Sequence, residues 1–137
     1  MNYEALDISG DAGIRATGGS PEETFAAAAT GMYILVTDLS KVEEKETVEA
    51  QAEADSLEGL LVNFLNELVF RLDAYGFIGR RVEITEFGPG RIRAVVHGEA
   101  FERGRHTSGL LIKAATWHGL KVGKKNGLWG AEVIFDI

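Results

Sequence analysis

The residues with the most chemistry to offer are two aspartates near opposite ends of the chain. Asp11 lies in Ser9-Gly10-Asp11-Ala12-Gly13, a glycine-flanked turn leading into a strand. There a carboxylate can project beyond a sheet, with backbone carbonyls close by. Asp136 is the penultimate residue, so its side chain and the α-carboxylate of Ile137 emerge within one residue of each other. If Ile137 is buried on the same face as Trp129 and Phe135, that terminus is fixed rather than frayed. Asp11, Asp136 and the Ile137 carboxylate together would make an all-oxygen, doubly or triply negative site. Such ligands suit a hard divalent cation, Ca²⁺, Mg²⁺ or Mn²⁺, rather than zinc. Spacing alone does not join the two aspartates, and Asp11 taken singly is an ordinary turn residue.

Other chemistries find less support. The chain has no cysteine, which removes thiolate nucleophiles, thiolate metal sites and disulfides. His97, His106 and His118 fall into neither an H-x-x-x-H nor an H-E-x-x-H spacing. Gly18-Gly19 and Gly88-Pro89-Gly90 lack the context of a phosphate-binding loop or a dinucleotide fingerprint and read as turns. A metal-dependent hydrolase would need a general base beside the metal; Glu99, His118 and Asp38 are of the right type, but no spacing supports any of them. A chaperone or interaction module without metal is a third class, and fold-level likeness does not decide among the three.

The elements that must position these groups belong to one domain, residues 1–137, because no repeat, low-complexity tract or linker interrupts the chain. At 45% hydrophobic and 26% charged residues, the composition is that of a folding globular chain rather than a disordered one. A formal net charge of −7 repels phosphate backbones, so direct nucleic-acid binding is not expected, and any link to RNA should pass through a partner protein. Met1-Asn2-Tyr3-Glu4-Ala5 lacks the basic and apolar regions of a signal peptide, and no apolar run approaches a membrane span. The expected location is cytoplasmic.

Ser20-Pro21-Glu22-Glu23 offers an N-cap hydroxyl, a proline at the first helical position and a carboxylate at N3, ahead of Phe25, Ala28, Ala29, Met32 and Val36 at helical spacing. This predicts a helix over 21–37. A second helix is predicted over 56–75, from Ser56 as cap to Gly76 as stop, with a broad stripe from Leu57 to Leu72 that should make it the main packing helix. Alternation of period two predicts one hairpin from 81–87 to 91–98 across Gly88-Pro89-Gly90, and another from about 111–122 to 128–137. Within the first arm of the latter, 109–116 could equally form a short helix. Shorter strands are predicted at 3–8, 13–18 and 46–54. The fold class is α+β: a single two-layer domain with a mixed, mostly antiparallel sheet and two main helices.

These segments together resemble the archease family over essentially the whole chain. The family opens with Tyr-Glu…Asp-His-Thr-Ala-Asp-x-Gly-Ile, which Tyr3-Glu4-Ala5-Leu6-Asp7-Ile8-Ser9-Gly10-Asp11-Ala12-Gly13-Ile14 matches. The match continues through Ser20 to Phe25, Gly31-Met32…Thr37-Asp38-Leu39, the stretch from Leu57 to Leu68, Lys113-Ala114-Ala115-Thr116-Trp117-His118 and Val133-Ile134-Phe135-Asp136-Ile137. The resemblance implies a divalent-metal site at Asp11, Asp136 and the Ile137 carboxylate. It also implies a protein cofactor, not an enzyme, that promotes guanylylation and multiple turnover of an RtcB-type RNA ligase in tRNA splicing or RNA repair. One departure stands out: the family's His-Thr-Ala before the first aspartate is Ile8-Ser9-Gly10 here, so any role of that histidine is lost or replaced.

Overall fold

The computed structural model describes residues 1–8 and 10–137, apart from the side chain of Asp7. Ser9, within the turn before Asp11 and within the departure from the family pattern, therefore lies outside the described residues. The elements run β1 (Asn2–Ile8), β2 (Asp11–Gly18), α1 (Pro21–Val36), a 3-10 turn (Leu39–Lys41), β3 (Glu46–Glu53), α2 (Leu57–Tyr75), β4 (Phe77–Gly88), β5 (Arg91–Ala100), β6 (Ala114–Ala115), β7 (Lys121–Lys125) and β8 (Leu128–Asp136).

Both helices begin where their caps dictate. Ser20 Oγ accepts from the Glu23 N–H at 3.2 Å, and Glu23 reaches back to the Gly19 N–H at 2.7 Å. Ser56 Oγ accepts from the Gly59 N–H at 3.0 Å. These bonds satisfy donors that a helix N-terminus otherwise leaves unpaired. At the far end of α2, Gly76 takes the left-handed conformation with φ 67°, and its N–H donates to the carbonyls of Arg71 and Leu72.

The architecture is α+β, as expected, but the strands divide between two sheets. The first has the order β1-β2-β8-β6, with β7 also paired to β8; the second has the order β3-β5-β4. The pairings between the described strands are all antiparallel, so the mixed sheet anticipated above is corrected in that detail. The division arises from long-range pairings: β8 returns to β2 and β3 joins β5, while the helices lie against both layers. The second predicted hairpin is also modified. Its first arm is split into β6 and β7, on the same side of β8, with a turn at Trp117–Leu120 between them, and neither helix nor strand forms over 107–113.

The main packing helix is α1 rather than α2. Ten consecutive residues, Thr24 to Tyr33, are buried, against a one-sided stripe in α2. Four alanines in that run leave the helix narrow enough to pack on β1, β2 and β8 of one sheet and β4 of the other. A helix apolar on every side is a core helix. Close approach also shapes Gly79, where an added Cβ would lie 2.7 Å from Tyr33 Cε2 and 2.4 Å from Val96 Cγ1, both too close for a real contact.

Phe25 is fully buried, 5.1 Å from the Phe87 ring and 6.4 Å from Phe64. Phe25→Ala is therefore expected to cost about 3–5 kcal/mol by urea denaturation. Tyr33 is fully buried with a hydroxyl that finds no hydrogen-bond partner among the described residues, and burial pushes its phenol well above the usual range. Tyr33→Phe should leave stability unchanged or raise it by about 1 kcal/mol, since it removes a desolvated donor that is not paired. A clear loss would mean the hydroxyl is satisfied.

Candidate functional site

Strand pairing brings the two sequence-predicted aspartates to one end of the first sheet. Asp11 opens β2 and Asp136 closes β8. The β2–β8 register pairs Ala12 with Phe135, so its continuation by one step sets Asp11 opposite Asp136. Residues directly opposite in an antiparallel pair present their side chains on the same face, with Cβ atoms about 4.5–5.5 Å apart. Ala12 and Phe135 are both buried, and alternation turns their two aspartate neighbours the other way, where both are exposed. Gly10, with φ 81°, completes the turn from β1 that starts β2 at Asp11.

On the other flank of β8, Ala114 of β6 pairs with Asp136, and the Lys113 N–H donates to the Asp136 carbonyl at 2.8 Å. Asp136 thus stands between β2 and β6, and Lys113 brings a cation to the same end. The type and spacing of Lys113 carried no signal of this; only the pairing of β6 with β8 reveals it. Ile137 is 42% exposed, so its side chain is not buried on the Trp129 and Phe135 face and the condition set for a fixed terminus is not met; backbone pairing extends to Asp136. Among the described residues, no three His, Asp or Glu side chains converge as a metal cluster. A cation at this end would accordingly rest on two side-chain carboxylates, the Ile137 carboxylate and water, a donor set compatible with a hard ion that retains part of its hydration.

A second cluster escaped the sequence reading. Glu99, at the end of β5, is buried, and its Oε2 accepts from the Glu43 N–H at 2.6 Å, from Arg105 Nη1 at 2.8 Å and from His106 Nε2 at 3.2 Å. Arg105 also bonds the other Glu99 oxygen and Glu102, and Lys45 Nζ lies 3.7 Å from Glu99 Oε1. His106 is buried too, and its Nδ1 accepts the Glu102 N–H at 2.8 Å. A backbone N–H can only donate, so the ring proton sits on Nε2, directed at Glu99. Both ring nitrogens are occupied, and the ring lies 5.6 Å from that of Phe101. The cluster pins residues 101–107 to the end of the second sheet.

This geometry bears on the three bases considered for hydrolysis. The Arg105 hydrogen bonds, outweighing burial, hold Glu99 well below the usual carboxylate range, so it is a poor proton acceptor. Asp38 caps the 3-10 turn, accepting from Ser40 Oγ at 2.7 Å and the Ser40 N–H at 3.0 Å, which lower its pKa. His118 is exposed.

Because folding depresses the Glu99 pKa, its contribution to stability is complete above the unfolded value of about 4.3 and is lost as pH falls below it. The thermal midpoint of the wild type should therefore drop more steeply than that of Glu99→Gln between roughly pH 5 and pH 3. Parallel curves would show that the Glu99 cluster does not control acid stability.

Fold and site together define a two-sheet α+β domain that carries its most distinctive polar groups at the ends of central strands. The archease protein family model matches residues 3–137. A curated protein archease of Methanopyrus kandleri is 34% identical over 140 residues, with 100% of each chain covered. The solution structure of Methanobacterium thermoautotrophicum protein 1598 superposes with a TM-score of 0.84 at 32% identity, covering 99% of both chains. The crystal structure of an archease from Thermotoga maritima, described as a possible chaperone, shares the fold at a TM-score of 0.66 and 18% identity, covering 98% of this chain and 96% of that one. The chain belongs to the archease family.

Proposed function

We propose that this archease is a protein cofactor of an RtcB-type RNA ligase, promoting guanylylation and multiple turnover in tRNA splicing or RNA repair. The observation that carries the reading is the β2–β8 register, which sets Asp11 and Asp136 side by side at an exposed sheet end. Two carboxylates at that separation repel one another, and a divalent cation relieves the repulsion while using their oxygens as ligands. Asp11, Asp136 and the Ile137 carboxylate would hold the ion, and Lys113 would limit how much positive charge the end tolerates. When bound, the ion supplies Lewis acidity and a template for phosphate oxygens. The residues of this chain keep the two aspartates on one face of the sheet end and open to solvent, so that a partner surface can close over them. RNA is then met through the ligase rather than directly, in keeping with the net charge of −7. No described helix is long and apolar enough to cross a membrane.

Calorimetric titration of the isolated protein with Ca²⁺ and Mn²⁺ tests the site without reference to activity. Asp11→Asn and Asp136→Asn are each expected to weaken binding by at least the roughly 10–100-fold that even outer-shell changes cost, with unchanged thermal midpoints. In multiple-turnover ligation the wild type should stimulate the ligase and both variants should not. Stimulation that survives chelation and both substitutions would instead identify a metal-independent chaperone module.

A further inference from the structure

Five of the large apolar side chains left exposed gather around the C-terminal half of α2 and the facing segment 101–111. Leu111 is 75% exposed, Tyr75 64% and Phe70 53%, with Phe101 and Leu110 beside them. Phe70 and Tyr75 pack edge to face at 6.2 Å. The Phe101 N–H donates to the Gly76 carbonyl at 2.8 Å, and the N–H groups of Gly109 and Leu110 donate to the carbonyls of Val36 and Leu35, so the segment is held in place. Between it and the helix runs a cleft of ≈ 300 Å³ lined by Val36, Leu72, Phe101 and Leu110 to Ile112, among others, with Asp73 as its one charged residue. A second groove of ≈ 540 Å³ shares Asp73, Leu111 and Ile112 and continues past Phe70 to Lys113 and Ala114. Those two residues adjoin Asp136.

We infer that this groove is the docking surface for a partner-protein segment bearing apolar anchors and a lysine or arginine, and that the segment leads the partner to the acidic strand ends. The inference rests on the cofactor reading above and names where the ligase is gripped. A contiguous exposed apolar patch marks an interaction site where singly scattered exposed residues do not. Charge selects the occupant. Asp73 is exposed within the apolar lining, and the nearby helix cation Arg71 is already paired with Glu67 at 3.1 Å. A cation supplied by the partner would complete Asp73. A second copy of this chain is a poorer occupant, because it would set another chain of net charge −7 against a groove that already carries Asp73. Continuity selects the direction, because the groove reaches Lys113, hydrogen-bonded to Asp136, and Ala114, its partner in the β6–β8 register.

The test is calorimetric binding of the full chain to the RtcB-type ligase of the same genome, alongside a ligation assay. Leu111→Asp and Asp73→Lys should each raise the Kd about tenfold or more, as substitutions at interface anchors do. Leu128→Asp, at a comparably exposed leucine on the β7–β8 turn, should bind like the wild type. If Leu111→Asp or Asp73→Lys binds as tightly as the wild type while the wild type still stimulates ligation, the groove inference is overturned and the cofactor reading stands. A wild type that neither binds nor stimulates overturns both. A wild type that sediments as a dimer and is dispersed by Leu111→Asp makes a second copy the occupant and overturns the inference as stated.

Discussion

The burial of α1 on all sides is the constraint around which the rest of the fold is arranged. A helix with no polar face needs apolar surface on every side, and one sheet cannot provide it. β1, β2 and β8 cover one side, β4 covers another, and α2 closes part of what remains. The alanine run makes this possible by keeping the helix narrow, and Gly31 extends the economy: a Cβ there would sit 3.3 Å from Tyr3 Cβ and 3.5 Å from Ile14 Cβ. The position of β2 follows from its contact with α1, that of β8 from its pairing with β2, and that of Asp11 and Asp136 from the register between those two strands. The candidate site is thus held by packing two layers away from it.

Sequence patterns made the local elements legible and the global ones obscure, and the difference is physical. Both helix starts were readable because a cap is a short-range device, a serine and the N–H three residues on. The stripe of Phe25, Ala28, Ala29, Met32 and Val36 was read as one face of α1, yet Ala26, Ala27 and Thr30 on the remaining faces are buried too. Alanine has too little side chain to reveal which way it points. The division into two sheets was not readable, since β2 meets β8 across most of the chain and β3 meets β5 across α2 and β4, and no periodicity encodes a partner.

The site followed the same rule. Asp11 and Asp136 could be picked out by residue type and by their places beside a turn and a terminus, but their juxtaposition belongs to the register. Lys113 and the wall of the apolar groove that faces α2 lie on a segment without regular structure, where spacing carries no information. Glu99 follows the inward-facing positions Ile92, Ala94, Val96 and Gly98 out of step, and it is enclosed by residues remote from that alternation, Glu43, Lys45, Arg105 and His106. It had been weighed as a base; its partners make it a structural anion.

The place of β8 in the chain has a consequence for biogenesis. It is the last strand in order, yet it lies between β2, the second, and β6 with β7. Until it emerges, β2 has one neighbour instead of two, and a flank of α1 lacks its cover. Strands whose partners are this distant in sequence form slowly and expose unpaired edges while they wait. During synthesis the chain should accordingly pass through a state with a hydrophobic helix partly bare and a sheet edge open, in which self-association competes with closure. Insertion of β8 ends that exposure and assembles the acidic strand ends in the same event, so a chain that displays the paired aspartates has also finished folding.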